Sequence, residues 1–401
     1  MNHLRNKAFF NSNGSKNYLC FGEGLTCTFH DKLDFDKLEA FIQQHKGSFI
    51  YGYISYDAKN SIENTSSNNV DYINAPIAHF HVPTTVVELS DESIQFIQGA
   101  DTNENRHYVH SLLMELNNPQ KQSVNSFEWL TEKSTYLERV NQLKDHIQRG
   151  DIYEINYCQQ LLSKENQLTN PMHLYAQINR VTKAPFSVYL QNDEIHVLCG
   201  SPERFICKQG KKVTSQPIKG TAPRGKDDQE DIEIKTALKN NPKEISENVM
   251  IVDLVRNDLS KIAQKGSVAV DELFGIYTFP TVHQMISTIS CSVKEDVQFT
   301  DIIRATFPMG SMTGAPKLSA TILSEQYEDF KRGIYSGTIG YILPNGDFDF
   351  NVVIRSMIYN ESNGNLTCAV GGAITIQSDP ESEYQECQTK IGKILSAICH
   401  D

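Results

Sequence analysis

Residues 338–376, TIGYILPNGDFDFNVVIRSMIYNESNGNLTCAVGGAITI, contain three runs rich in β-branched and aromatic residues, separated by two turn sequences. The turns are Asn345-Gly346 and Asn363-Gly364. An Asn-Gly pair between such runs is typical of a β-hairpin. Hairpin-connected strands are antiparallel, whereas parallel strands need a longer crossover. The stretch therefore predicts an antiparallel sheet.

Helical patterns lie outside these strands. One helix is predicted in STYLERVNQLKDHIQRG, with Ser134 as N-cap and Gly150 at its end. A long helical stretch is predicted from about Asp227 to Asp258, and SEYQECQTKIGKILSAICH predicts a last helix. Hairpin strands with separate helices favour an α+β fold, in which helices pack on the outside of antiparallel sheets.

A polar stretch over roughly 99–126 predicts a surface connection. It divides a β-rich N-terminal subdomain, residues 1–120, from a longer catalytic part, residues 127–401. The chain of 401 residues is long enough for two or three domains.

The composition excludes several classes of function. The formal net charge is -12 and no basic stretch is clustered, which speaks against nucleic acid or an anionic membrane as partner. The nine cysteines contain no C-x-x-C, as expected of reduced thiols in a cytosol. No signal peptide or apolar run of about 20 residues is found, so a cytoplasmic protein is expected.

Two pairs of glutamates have helical spacing. They are Glu244 with Glu247 and Glu383 with Glu386. An i,i+3 spacing places both acids of a pair on one helix face. If the two faces meet, the four carboxylates would need a cation, and Mg²⁺ is the natural choice for oxygen ligands. The alternative is two solvated helix surfaces.

Lys219 lies in QPIKGTAPRG, after a predicted strand. A lysine held among apolar groups or near a bound cation loses proton affinity, and its free amine is then a nucleophile. The alternative is a surface lysine in a turn. Glu203, in SPERF, is a candidate general acid if it is desolvated. Its alternative is a salt bridge with Arg204.

The loop FPMGSMTGAPK, residues 307–317, precedes a helical pattern. Ser311 or Thr313 is expected to cap that helix, and exposed N–H groups there favour an anion. Arg355 stands in an apolar strand and must be paired or face a ligand. His283 is either a satisfied core histidine or a site residue. Further anion-binding candidates are Tyr341, Gly371, Gly372 and Lys390.

The chain contains, in this order, SPERF, QPIKGTAPRG, KEISENVMIVDLVRNDL, the VH-x-x-x-S segment, FPMGSMTGAPK, GYI, VVIRS, AVGGAI and the terminal E-x-x-E, and this series resembles the chorismate-utilising enzymes. That family includes anthranilate, isochorismate, salicylate and aminodeoxychorismate synthases. The resemblance covers about residues 130–400 and implies two facing antiparallel sheets with the active site between them. It also implies Mg²⁺ ligation by Glu247 and Glu386, with Glu244 and Glu383 acting directly or through waters. The substrate carboxylates would be held by Ser311, Tyr341, Arg355, Gly371 and Gly372, with Lys390 nearby and His283 beside the ring.

Lys219 indicates which branch of this family the chain resembles. Pro-Ile-Lys-Gly is similar to the aminodeoxychorismate-forming members, whereas anthranilate-forming members generally carry alanine there. The resemblance implies that Lys219 attacks C2 of chorismate while Glu203 protonates the leaving 4-hydroxyl. Ammonia then adds at C4, on the route to 4-aminobenzoate and folate.

Glu154, in GDIYEINYCQQ, departs from the family. Isochorismate-forming members carry a water-activating lysine at this place and amine-adding members usually carry glutamine. A carboxylate here argues against isochorismate synthesis and could accept a proton from ammonium. No G-x-C-x-G elbow is present, so ammonia is expected from a separate glutaminase subunit in a heterodimer. Anthranilate synthase, isochorismate or salicylate synthase and a non-catalytic chorismate-binding protein are the alternatives.

Overall fold

The computed structural model describes residues 5–14, 16–63, 65–91 and 93–398, so Cys399 lies outside the described residues. Its strands within these ranges are β1 (Asn6–Asn11), β2 (Asn17–Phe21), β3 (Leu25–Phe29), β4 (Ile50–Ile54), β5 (Ala78–Val82), β6 (Thr85–Leu89), β7 (Ile94–Gln98), β8 (Glu128–Trp129), β9 (Glu154–Ser163), β10 (Phe186–Asn192), β11 (Ile195–Ser201), β12 (Arg204–Gln209), β13 (Lys212–Gln216), β14 (Ile218–Pro223), β15 (Ala269–Thr278), β16 (Val282–Ser292), β17 (Gly314–Ala315), β18 (Thr338–Ile342), β19 (Phe348–Val352), β20 (Ser356–Asn360) and β21 (Asn365–Ile374). Its helices are α1 (Phe35–Gln44), α2 (Lys59–Ile62), α3 (Asn103–Asn117), α4 (Lys133–Arg149), α5 (Pro171–Thr182), α6 (Asp228–Lys239), α7 (Pro242–Ser260), α8 (Phe299–Thr306), α9 (Lys317–Tyr327) and α10 (Pro380–Ile398), with short 3₁₀ helices at Tyr56–Ala58 and Gly310–Met312.

The strands form two antiparallel sheets, which confirms the predicted α+β class. One sheet, of eleven described strands, has the order β17-β9-β21-β20-β11-β10-β1-β2-β6-β7, with β8 also pairing with β9. The other, of ten described strands, has the order β14-β16-β13-β12-β19-β18-β4-β5-β3, with β15 also pairing with β16.

The two sheets face each other, and period-two alternation divides their side chains between two environments. Phe10 of β1 and Tyr18 of β2 make ring contacts with Tyr51 and Phe49 from the opposite sheet. Phe9 directly precedes Phe10 on β1, so its side chain points to the opposite face of the sheet, where its ring contacts Tyr175 of α5. One row of side chains therefore fills the space between the sheets and the next row holds the helices.

Helices cover the outer faces. Buried residues of α3, α4, α5 and α10 join a hydrophobic cluster with the outer face of the eleven-stranded sheet. Helices α1, α7 and α8 pack on the ten-stranded sheet. Within the described chain, no helix is both long and apolar enough to cross a membrane.

The N-terminal strands extend both sheets. Strands β1, β2, β6 and β7 belong to the eleven-stranded sheet, and β3, β4 and β5 belong to the ten-stranded sheet. The division between 1–120 and 127–401 stays a prediction. The polar stretch 99–126 is more than a connection, because it contains helix α3, which is capped by Thr102 and buries Val109 and Leu112.

Two helix boundaries differ from prediction. The stretch from Asp227 to Asp258 is two helices, because Pro242 starts α7 and the Asn241 side chain accepts from the first-turn N–H groups. Helix α4 has Glu132 rather than Ser134 at its N-cap, and its predicted end at Gly150 is confirmed by a φ of 84°. Both hairpins of the opening stretch are also confirmed, as β18–β19 and β20–β21.

Candidate active site

Lys219 and Glu154 meet where the ends of the two sheets approach each other. Lys219 lies on β14 of one sheet and Glu154 begins β9 of the other. Lys219 Nζ donates to Glu154 Oε1 at 2.7 Å. Only 10% of the Lys219 side chain and 1% of the Glu154 side chain are exposed. The alternative of a surface lysine is therefore wrong.

The Lys219 amine is protonated in this setting. Burial lowers its pKa, but the negative charges of Glu154, Glu247 and Glu203 outweigh burial and raise the pKa above its ordinary value. Acids and not apolar groups surround the amine, so its pKa shifts in the direction opposite to the one expected for a lysine among apolar groups. The proton must be removed before the nitrogen can act as a nucleophile.

Glu203 lies between β11 and β12 and is buried. Its Oε1 accepts from the Ser311 hydroxyl at 2.7 Å. Burial raises the pKa of Glu203 to about 7, although Ser311 and the charge of Lys219 act to lower it. This confirms the predicted desolvated carboxyl. The alternative salt bridge is absent among the described residues, since Arg204 binds Asp349 instead.

Ser311 does not cap a helix. It lies in the 3₁₀ helix before β17, while α9 begins after Pro316 without a side-chain cap. The Ser311 hydroxyl points to Glu203, and its carbonyl oxygen accepts from Asn156 Nδ2 at 2.9 Å. The loop thus positions the candidate acid from one side, and its predicted grip on a substrate carboxylate stays a prediction.

Strand β21 places its two glycines beside β9. A Cβ on Gly371 would lie 2.4 Å from Asn156 Oδ1 and 2.6 Å from Cys158 Sγ, so only glycine fits. A Cβ on Gly372 would meet only Glu383 Oε2, at 3.4 Å, so this side of the strand is open. Lys390 Nζ donates to the Gly371 carbonyl at 2.9 Å and ties α10 to the strand.

Arg355 follows β19 with a left-handed φ of 51°, a conformation that costs energy for a residue with a Cβ. Its guanidinium has no hydrogen-bond or ion-pair partner among the described residues. Burial lowers its pKa, and the charge of Glu203 opposes that shift. The alternative of a close pair with an internal acid is therefore wrong. An unpaired, half-buried guanidinium fits a carboxylate ligand.

The glutamate pairs lie on neighbouring helices, as their spacing predicted. The acids are Glu244 and Glu247 on α7 and Glu383 and Glu386 on α10. Lys243 Nζ lies between the helices, 3.1 Å from Glu383 Oε1 and 3.9 Å from Glu247 Oε1. Glu247 and Glu383 are buried, which rejects the solvated-surface alternative for these two. Burial lowers the pKa of Lys243, but the charges of Glu383, Glu247 and Glu386 raise it, so acids from both helices converge on this amine. Glu386 lies at the rim of the group, with 46% of its side chain exposed and paired with Lys390.

The chemistry of the four glutamates suits Mg²⁺ only in part. No three acid, histidine or cysteine side chains in the described part of the chain are grouped closely enough to hold a metal by themselves. Mg²⁺ commonly takes one or two carboxylates and completes its shell with water and substrate oxygens. Glu247 Oε1 is buried without a hydrogen bond, and burial raises the pKa of Glu247 to about 7. Glu247, with Glu383 across Lys243, is the pair whose chemistry fits the ion.

Two predicted site residues lie elsewhere. The Tyr341 ring packs against Phe10, Tyr18 and Phe49. Its strand β18 is five strand positions from β14, roughly 24 Å at about 4.8 Å per strand. The predicted role of Tyr341 at the substrate carboxylates is corrected accordingly.

His283 is a satisfied core histidine. Its Nε2 contacts Asp231 Oδ1 at 2.9 Å and its Nδ1 contacts Thr278 Oγ1 at 3.1 Å. The ring is fully buried and turned toward α6. Its predicted place beside the substrate ring is not supported, and the alternative of a satisfied histidine is confirmed.

Three residues near the cluster escaped the sequence reasoning: Lys243, Asn156 and Tyr335. Lys243 directly precedes the first paired glutamate, so its place on the acidic face follows from helical spacing. Asn156 lies two residues after Glu154, on the same strand face. The Tyr335 hydroxyl lies 4.0 Å from Cys158 Sγ. Tyr335 is six residues before Tyr341 in the same run, and no local signal separates the two.

Comparisons with known proteins agree with this architecture. Residues 7–396 match the family model for chorismate binding enzyme. Aminodeoxychorismate synthase component 1 of Escherichia coli (strain K12) is 34% identical over 315 residues, which are 78% of this chain and 68% of that protein. The protein of the same name from Klebsiella aerogenes is 38% identical over 266 residues, which are 66% of this chain and 58% of that protein.

A solved structure shows the same fold. The crystal structure of anthranilate synthase component I from Streptococcus pneumoniae TIGR4 has a TM-score of 0.81 and 24% identity, and the match covers 96% of this chain and 92% of that chain. At this identity the likeness shows the fold alone.

Proposed function

The chain belongs to the chorismate-binding enzyme family, and on that premise we propose that it converts chorismate and ammonia into 4-amino-4-deoxychorismate. The observation that carries the proposal is a buried amine beside a buried carboxyl. Lys219 and Glu203 are close enough for each charge to shift the pKa of the other. Curated relatives named aminodeoxychorismate synthase component 1 support the same reaction.

In the first step, Lys219 Nζ forms a bond to C2 of chorismate, both conjugated ring double bonds shift by one position, and the C4–O bond breaks. Glu203 gives its proton to the departing hydroxyl, which leaves as water. A hydroxyl is a poor leaving group unless it is protonated, and a pKa near 7 keeps a proton available on Glu203 at neutral pH.

In the second step, ammonia forms a bond to C4, both ring double bonds shift back, and the C2–N bond to Lys219 breaks. The new amine gives its surplus proton to the Glu203 carboxylate. Chorismate and ammonia thus give the amino product and water, and the enzyme is regenerated. The covalent intermediate divides one difficult displacement into two easier ones.

Substrate binding relies on local positive charge, because the chain is acidic overall. The unpaired guanidinium of Arg355 is suited to a substrate carboxylate, and the open side of Gly372 leaves room for one beside Glu383. Bound Mg²⁺ would neutralise and orient a ring carboxylate. Glu247 and Glu383 would hold the ion, with Glu244 and Glu386 acting through waters. This exchanges the roles that the resemblance implies for Glu383 and Glu386, because Glu386 is 46% exposed and pairs with Lys390.

Ammonia is proposed to come from a glutamine amidotransferase subunit in a heterodimer, placing the reaction in 4-aminobenzoate and folate biosynthesis. The relatives are named as component 1, which supports a second component. Glutamine should then support turnover only when that second protein is added.

The experiment that tests the activity is incubation of the protein with chorismate, ammonium and Mg²⁺, followed by mass spectrometry of the products. We expect 4-amino-4-deoxychorismate and, in Lys219→Ala, loss of turnover. Pyruvate with fluorescent anthranilate would show an anthranilate synthase instead. Isochorismate or salicylate would show the other branch. An unaltered Lys219→Ala variant would indicate a protein that binds chorismate without using this lysine.

A further inference from the structure

We propose that Glu154 is the general base that takes the proton from Lys219 before the attack on C2 and returns it when the amine leaves. The inference rests on the proposed function, because it assigns the proton transfer that the covalent step requires.

The contact between the two side chains is direct. Lys219 Nζ donates to Glu154 Oε1 at 2.7 Å, within the distance for proton transfer. Lys219 has no other hydrogen-bond acceptor and no other ion-pair partner within the described ranges. Glu154 is fixed because its strand β9 pairs with β17 on one side and β21 on the other. The base is therefore held in place before substrate arrives.

The surroundings leave Glu154 as the acceptor. The charged groups that face Lys219 are Glu154 from β9, Glu247 and Glu244 from α7, Glu386 from α10 and Glu203 from the β11–β12 connection. Glu244 and Glu386 form no hydrogen bond or ion pair with it in the described structure. Glu203 must keep its own proton for the departing hydroxyl. Glu247 lies beyond ion-pair distance from Lys219, since no such pair is formed between them among the described residues. Only Glu154 contacts the amine directly and has no other role in the proposed reaction.

The second oxygen of Glu154 supports this reading. Glu154 Oε2 is buried and has no hydrogen-bond partner in the described part of the chain. A buried carboxylate oxygen without a donor lacks the hydrogen bond that water would give it, so this oxygen is not engaged elsewhere. Transfer of one proton turns the ion pair into a neutral amine and a neutral acid, without changing the total charge of the site.

The proton balance closes over both steps. Glu154 takes a proton from the Lys219 ammonium, and the neutral amine attacks C2. When ammonia adds at C4, the C2–N bond breaks and Lys219 leaves as a neutral amine. Glu154 then returns the proton, which restores the carboxylate and the ammonium. Glu203 carries the separate proton of the hydroxyl and of the new amine, so no proton is counted twice.

The test measures formation of the Lys219 adduct with chorismate and Mg²⁺ in the absence of ammonia, by rapid quench and intact mass. In Glu154→Gln, adduct formation should slow about 100-fold or more, the usual contribution of a general base. The remaining rate should rise tenfold for each pH unit, because hydroxide must then remove the proton, whereas the native rate should vary less with pH. Glu154→Asp, which keeps a carboxylate, should recover part of the rate.

Glu295→Gln is the matched control, since Glu295 is 82% exposed and pairs only with the surface Lys211 in the described structure. Circular dichroism of each variant checks folding. Native adduct formation in Glu154→Gln, with only the later reaction with ammonia slowed, would overturn the proposal and assign Glu154 to ammonium. Absence of any adduct in the native protein would refute the covalent mechanism of the proposed function itself.

Discussion

Replacing Glu203 by glutamine should stabilise the protein at alkaline pH relative to acidic pH. Burial raises the pKa of Glu203 from 4.5 to about 7, so between these values the folded protein binds more protons than the unfolded chain. Stability is then present at low pH and is lost as pH rises through this window. The full loss is about 3.4 kcal/mol, of which about 2.5 kcal/mol falls between pH 5 and pH 8.

A glutamine side chain does not ionise between pH 5 and pH 8, so the variant lacks this pH-dependent contribution to stability. Its Oε1 can still accept from Ser311, and any constant cost of its amide group is the same at both pH values. Glu247 titrates near the same pH in both proteins and cancels from the difference. The free energy of unfolding is measured in urea at pH 5 and pH 8 for both proteins. The value for Glu203→Gln minus the value for the native protein should be about 2.5 kcal/mol higher at pH 8 than at pH 5.

Glu295→Gln is a suitable control here as well, because its exposed carboxylate should change the pH dependence little. The reasoning about Glu203 would be refuted by a native-minus-variant difference that stays constant within about 0.5 kcal/mol between the two pH values. That result would mean that Glu203 is solvated, and it would remove the basis for its role as an acid at neutral pH.

Three further outcomes are expected. Arg332→Met should lower the free energy of unfolding by about 3–5 kcal/mol, because it leaves Glu328 buried without its ion-pair partner at 2.6 Å. Urea titration measures this loss, and the double variant with Glu328→Gln should recover part of it. Arg355→Ala should raise the KM for chorismate by about tenfold or more, and Arg355→Lys should not restore it, because lysine lacks the planar fork; initial rates decide this. Glu247→Gln should weaken Mg²⁺ binding by more than the roughly tenfold that loss of an outer partner costs, and calorimetric titration with Mg²⁺ that gives equal affinities would remove Glu247 from the metal site.

Much of the fold could be read from local patterns. The two Asn-Gly turns predicted the hairpins that form β18–β21, since turn chemistry acts over a few residues. The reading was wrong where polarity concealed amphipathic structure. Helix α3 forms in a polar stretch because it buries two apolar side chains, Val109 and Leu112, on one face.

The candidate site could be predicted only in part. The order of the motifs singled out Lys219 and Glu203, and the structure brings them together. Tyr341 and Tyr335 belong to one run of sequence, and only the packing of β18 against the aromatic residues of β1, β2 and β4 shows that Tyr341 lies away from the site. A tyrosine in a strand has no local mark of which neighbours it meets.

The sequence by itself determined the antiparallel strands and the helical faces of the paired glutamates, because each depends on residues a few positions apart. The tertiary structure alone decided the protonation of Lys219 and the partner of Ser311. The charge state of a buried amine is a balance between lost hydration and the fields of Glu154, Glu203 and Glu247. Those acids stand on different elements far apart in the chain, and folding alone fixes their distances.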